Sequence, residues 1–135
     1  MDRDEELKQW IKIPADNLRT AEYIVENMRP IPDEIVCNLC QQAAEKYLKC
    51  FLFFSSVDFP KNHDLPILLK LCIDISGDFT ELIKKCGFLT QYAVMPRYPH
   101  DLQITEDDVK TAIKFANDIK CFVMNKFISR SDSEE

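Results

Sequence analysis

Two cysteines, two histidines and three basic residues are the side chains in this sequence whose types and spacing could do chemistry. Cys37 and Cys40 form a Cys-x-x-Cys pair. A structural zinc site would need a second pair at ligand spacing, and a dithiol redox centre would need a strand–helix–strand setting. Neither accompanies the pair. It reads as two small residues on an inward helical face, and no metal or cofactor is expected.

His63 and His100 are the only histidines. His63 precedes Asp64, where a helix should begin, which suits either anchoring a loop or touching a ligand. His100 closes the stretch Arg97-Tyr98-Pro99-His100. An arginine and a histidine can cleave RNA without a metal, the histidine as acid or base and the arginine on the phosphate. In a proline-rich loop the same arginine can instead cap helix carbonyls or pair with a carboxylate. Lys46 and Lys49 share a polar helical face with Gln42, and together with Arg97 they could grip a phosphate. The competing reading is a solvated charged face. No glycine-rich phosphate loop, Gly-x-Ser-x-Gly or carboxylate cluster at metal spacing occurs.

These residues must be positioned by helices. From about Glu5 to Met28, apolar residues recur at Trp10, Ile13 or Pro14, Leu18, Ala21, Val25 and Met28, at helical steps of about three and four. Pro14 predicts a break or kink there, dividing a lead-in helix from a main one. A second helix runs from about Pro32 to Phe54, with Val36, Cys40, Ala43 and Tyr47 inward and Gln41, Gln42, Glu45, Lys46 and Lys49 on a polar stripe. Glu45 and Lys49 are spaced for an ion pair on that stripe. Asp64 is placed to cap a third helix carrying Leu65, Leu68, Leu69 and Cys72. A fourth carries Phe79, Leu82, Cys86, Leu89 and Tyr92. Ala93–Ile104 reads as an ordered loop. Thr105 and the acidic residues after it form a capping box that opens a last helix ending near Phe127. The expectation is an all-α, antiparallel up-and-down bundle of four to five helices. Residues 1–129 make a single domain, and residues 130–135 make a disordered acidic tail.

Composition agrees. Only two glycines occur in 135 residues, which argues against sandwiches and barrels with their many tight turns. The net charge is −6, but residues 1–6 carry −3 and residues 130–135 carry −2, leaving a nearly neutral body. General nucleic-acid binding would call for a basic excess, so RNA is not the expected partner. No apolar span is long enough for a transmembrane helix, and the acidic start is unlike a secretory signal, so a cytoplasmic location is expected. The six cysteines fall within apolar periodic segments and read as reduced core thiols. The apolar run Phe51–Phe54 suggests a surface covered by a second copy, hence a homodimer.

Several segments together resemble the HEPN domain family (higher eukaryotes and prokaryotes nucleotide-binding). The second-helix pattern is Cys37, Gln41, Gln42, Ala43, Glu45, Lys46, Leu48, Lys49. It is followed by Asn62-His63-Asp64-Leu65 with Leu68 and Leu69, then Tyr92, Arg97-Tyr98-Pro99 and the helix opening at Thr105. The early Trp10 also fits, and the resemblance covers residues 7–127. It implies a helix bundle that tends to form homodimers and occurs beside, or fused to, minimal nucleotidyltransferases. Some members bind nucleotides. Others are metal-independent RNases or toxins, as in toxin–antitoxin systems, with a longer Arg-to-His spacing on a late helix. Here only two residues separate Arg97 from His100, and prolines place them in a loop. The resemblance thus implies a non-catalytic accessory subunit that binds a nucleotide through Lys46, Lys49 and Arg97, with His63 nearby. A divergent RNase using Arg97 and His100, or a purely structural interaction module, are the alternatives.

Overall fold

The computed structural model describes residues 2–94 and 103–133, the last four by their backbone alone. Among them the chain forms five α-helices and no strand. The helix α1 spans Arg3–Asn27 without interruption. The break expected at Pro14 does not occur. A proline inside a helix costs about 3 kcal/mol, but here both sides of it are tied down. Pro14 itself is buried, as are Leu7 in the preceding turns and Leu18 and Ala21 in the following ones. Trp10 stacks on Phe53 with centroids 4.9 Å apart. The Arg3 guanidinium donates to the carbonyls of Phe53 and Phe54 and to Ser56 Oγ. Those contacts hold the first turns helical.

The central element is α2, Asp33–Phe54, which packs against α1, α3 and α5. Its inward face is mostly apolar, with Val36, Cys40, Ala43, Tyr47, Leu48 and Cys50 inaccessible to solvent. After α2, α3 (Leu65–Ile75) starts at Asp64, whose carboxylate accepts from the Ile67 amide as the sequence predicted. The expected fourth helix is three pieces: a 3₁₀ segment Gly77–Leu82, the short α4 Ile83–Leu89, and a 3₁₀ turn Thr90–Tyr92. Its buried residues explain why. Phe79 to Leu82 and Leu89 to Tyr92 are steps of three, which suit three residues per turn. Leu82–Cys86–Leu89 suits the wider α turn. All five side chains thereby reach the core.

The last helix, α5, spans Glu106–Ser133. It opens with the predicted reciprocal cap: Asp108 N donates to Thr105 Oγ1 and Thr105 N to Asp108 Oδ2. Its helical backbone continues through residues 130–133, which the sequence had placed in the tail; each added residue closes one more ladder bond at little cost. Trp10 meets Phe53 and Cys40 lies near Glu22, so α1 and α2 are antiparallel. Phe54 meets Phe127 and Tyr47 lies near Cys121, so α5 runs alongside α2 in the same sense.

Two sequence arguments change at this level. The run Phe51–Phe54 is covered by the chain itself: Phe51 meets Phe79, Phe53 meets Trp10 and Phe54 meets Phe127. Phe51 and Leu52 are buried, while Phe53 and Phe54 stay partly exposed. The cysteines are all free thiols, and five are buried, but Cys121 is exposed. The inward line of α5 is Ala112, Ala116, Ile119 and Val123, and position 121 falls off it. Burial pushes the thiols of Cys37, Cys40, Cys50 and Cys86 up to about 12, which makes them poor nucleophiles and metal ligands. No described helix is long and apolar enough to cross a membrane.

Candidate functional site

The polar stripe of α2 folds into two parallel lines of side chains, each built on steps of four residues. In the first, Asn38 donates to the carbonyl of Tyr92 at 2.8 Å. Gln42 donates to Asn38, and Lys46 donates to Gln42 Oε1 at 3.2 Å. In the second, Gln41 donates to the carbonyl of His63 at 3.0 Å and, at 3.3 Å, to Glu45 Oε1. Lys49 Nζ donates to Glu45 Oε2 at 3.0 Å. The expected Glu45–Lys49 pair is therefore present.

Glu45 is the hub, and it lies deeper than a polar stripe implies. Its residue is 5% exposed and Gln41 is 1% exposed. His63 Nδ1 sits 2.9 Å from Glu45 Oε1. An ionised carboxylate only accepts, so Nδ1 carries a proton and donates, leaving Nε2 as the ring's second polar atom. Burial alone pushes the Glu45 carboxyl up. Hydrogen bonds from Lys49 and His63, the charge of Lys49 and the Gln41 amide outweigh it, and the carboxyl rests below its usual value. A buried carboxylate held this way is charged at neutral pH, and its partners hold each other's positions through it.

The sequence-predicted residues separate into three kinds. Lys49 is brought to Glu45, and its side chain is only 16% exposed. Its charge is used within the fold. His63 is joined to the same carboxylate through one ring edge while its side chain stays 72% exposed. Lys46 bonds to a neutral amide and forms no ion pair with a described residue. Arg97 and His100 lie outside the described residues. Tyr92 and Asn38 tie the segment just before residue 95 to α2.

Sequence reasoning missed Glu45 as an anchor and Asn38 as a tether. The signal for Glu45 was its place four residues after Gln41 and four before Lys49, a line of bonding partners rather than a mixed solvated face. Asn38 left no such trace, because its partner is a backbone carbonyl far along the chain. Among the described residues no group of three or more His, Cys, Asp or Glu could hold a metal ion.

The described part of the arrangement holds groups that can bind an anion. It offers one amine free of ion pairing with any described residue, a second amine committed to a carboxylate, and an imidazole held at a fixed tautomer. Among the described residues of this face, no nucleophile stands beside a base.

Comparison with known proteins adds to this geometry. The model of the HEPN domain family matches residues 7–127. The structure resembles the crystal structure of ST0689, an archaeal HEPN homologue, with a TM-score of 0.69 and 26% sequence identity over 93% of this chain and 98% of that one. It also resembles the crystal structure of TT1696 from Thermus thermophilus, with a TM-score of 0.70 and 24% identity over 89% of this chain and 97% of that one. No curated protein matches significantly.

Proposed function

Because the chain belongs to the HEPN domain family, matched over residues 7–127, we propose that it is a non-catalytic, nucleotide-binding accessory protein working beside a minimal nucleotidyltransferase. Phosphate would be gripped by Lys46 and Arg97, with Lys49 and the exposed ring of His63 at the border of the same site. The observation that carries this reading is the state of Lys46. It stands on the side of α2 facing Asn38 and Gln42, and it is aligned by a chain of neutral hydrogen bonds with no described countercharge of its own. A cation aligned by neutral partners and paired with no described carboxylate is suited to an anionic ligand.

The non-catalytic part of the reading is supported by Arg97 and His100, which are separated by only two residues, with prolines at positions 96 and 99. That spacing departs from the cleavage pattern implied by the family.

Calorimetry with a panel of nucleotides tests the reading. Wild-type protein should bind at least one nucleotide weakly, and Lys46→Ala or Arg97→Ala should weaken binding about tenfold, the loss of one charge-assisted contact. No detectable heat at millimolar nucleotide would remove it. RNA cleavage abolished by His100→Ala would replace it with the enzyme. Copurification with a small nucleotidyltransferase would test the partner.

A further inference from the structure

Two lines of side chains run along α2 with the same spacing and one chemical difference. Gln41, Glu45 and Lys49 follow each other at steps of four, and so do Asn38, Gln42 and Lys46. In both lines a lysine comes last and bonds back to the residue four before it. For Lys49 that residue is a carboxylate, and the two form an ion pair at 3.0 Å. For Lys46 it is an amide, at 3.2 Å, and no described carboxylate pairs with the amine. A carboxylate compensates the charge of the amine it aligns, and an amide aligns it without doing so.

The amides of the neutral line are held in one orientation. A backbone carbonyl only accepts, so the Tyr92 carbonyl, 2.8 Å from Asn38 Nδ2, fixes which end of the Asn38 amide faces it. Asn38 Oδ1 then meets Gln42 Nε2, and Gln42 Oε1 is turned toward Lys46. Reversing either amide would set oxygen against oxygen at one end and N–H against N–H at the other. The far end of the line is firm as well. Tyr92 is buried, and its hydroxyl is hydrogen-bonded to the Cys37 thiol. Asn38, Gln42 and Lys46 are all half-buried, so the line runs at the edge of the solvent and not beneath it. An ammonium has three N–H groups, and Lys46 uses one on Gln42. The others can meet an acceptor from an amine whose position is already restricted, which lowers the ordering cost of binding.

We infer that Gln42 is the specificity-determining residue of the phosphate-binding face of α2, because its neutral amide aligns Lys46 without cancelling the charge, and that Asn38 is a positioning residue that ties Gln42 to the Tyr92 carbonyl. The inference rests on the nucleotide-binding reading of Lys46 and deepens it: the part of the ligand selected is the phosphate chain, not the nucleoside.

Calorimetry of the full chain with ATP, and with adenosine as the uncharged control, is the test. Gln42→Glu keeps an acceptor for Lys46 but adds a countercharge. It should weaken ATP binding about tenfold or more and leave the urea midpoint unchanged or raised, because Glu and Lys four residues apart pair favourably. Gln42→Met is similar in size, removes the acceptor and leaves the charge, so it should weaken binding only about threefold. A purely structural role predicts the reverse order, since Met loses both hydrogen bonds and Glu keeps one. Asn38→Leu should weaken binding about threefold, and combining it with Gln42→Met should cost no more than Gln42→Met alone, because Asn38 acts through Gln42. The assignment is overturned if Gln42→Met binds more weakly than Gln42→Glu, if the double variant shows additive losses, or if adenosine binds as well as ATP. A wild type that binds no ATP removes the phosphate reading and this inference together. Hydrogen exchange at the Gln42 side-chain amide, followed by NMR without ligand, separates the two failures. It should quicken in Asn38→Leu, and an unchanged rate in a protein that does bind ATP would overturn the role of Asn38 alone.

Discussion

Glu45 and His63, 18 residues apart in sequence, meet at 2.9 Å with the carboxylate buried and the imidazole largely exposed. This contact, with Gln41 on the His63 carbonyl, fastens the segment after α2 back onto the middle of that helix. Elsewhere the same loop is held by Arg3 on Ser56 and by Trp10 and Lys49 on Phe59.

Removing the carboxylate should cost stability out of proportion to its size. Glu45→Leu strands Lys49, whose side chain is 16% exposed, and leaves the Gln41 amide short of an acceptor. A loss of about 3 kcal/mol is expected in urea unfolding. The double variant Glu45→Leu with Lys49→Met should recover a substantial part of it, because no buried charge then lacks a partner. Equal stability of the single and double variants would contradict this account.

The same carboxylate sets a pH dependence. Burial raises its proton affinity, but Lys49, His63 and Gln41 lower it further, and the folded value lies below the unfolded one. The unfolded chain therefore binds this proton more readily. The stabilisation is complete above the unfolded value and is lost as pH falls through the folded value. The stability gap between wild type and Glu45→Gln should hold at neutral pH and narrow in the acid range below the ordinary glutamate value. Urea midpoints across a pH series measure it. A gap that persisted unchanged into strong acid would refute the assignment.

Lys46 and Lys49 should part company under substitution. Lys46→Ala should weaken nucleotide binding about tenfold and shift stability by less than about 0.5 kcal/mol. Lys49→Ala should lower stability by about 2 kcal/mol, because it unpairs Glu45. Calorimetry and chemical unfolding on both variants make the comparison. Identical behaviour would mean that the two amines share one role.

Thiol reactivity should pick out one cysteine. Cys121 is exposed on α5, while the other five are buried, and burial holds Cys37, Cys40, Cys50 and Cys86 protonated. A thiol reagent should modify one residue quickly in the native protein and six after denaturation. Cys121→Ser should abolish the fast phase. Several fast thiols in wild type would mean that the core opens far more readily than its packing implies.

The helical class, most of the inward faces and the helix starts at Asp64 and Thr105 were legible in the sequence, though Met28 proves exposed and Gln41 and Glu45 prove buried. Each depends on residues within a few positions of one another: a period of three and four, or a side chain reaching an amide three residues on. The Glu45–Lys49 pair was legible for the same reason. Tertiary structure decided the rest. Pro14 stays inside a continuous α1 because Trp10 finds Phe53 and Arg3 finds the end of α2. Phe51, Phe53 and Phe54 each find an aromatic partner within the chain, in Phe79, Trp10 and Phe127. Glu45 becomes a buried anchor only when His63 returns to it. In each case the deciding partner lies many residues away, and local spacing carries no information about which distant side chain will supply the compensating contact. Residues 37–49 thus announced a polar helical face, and the return of the chain at His63 determined that Glu45 is spent inside the fold.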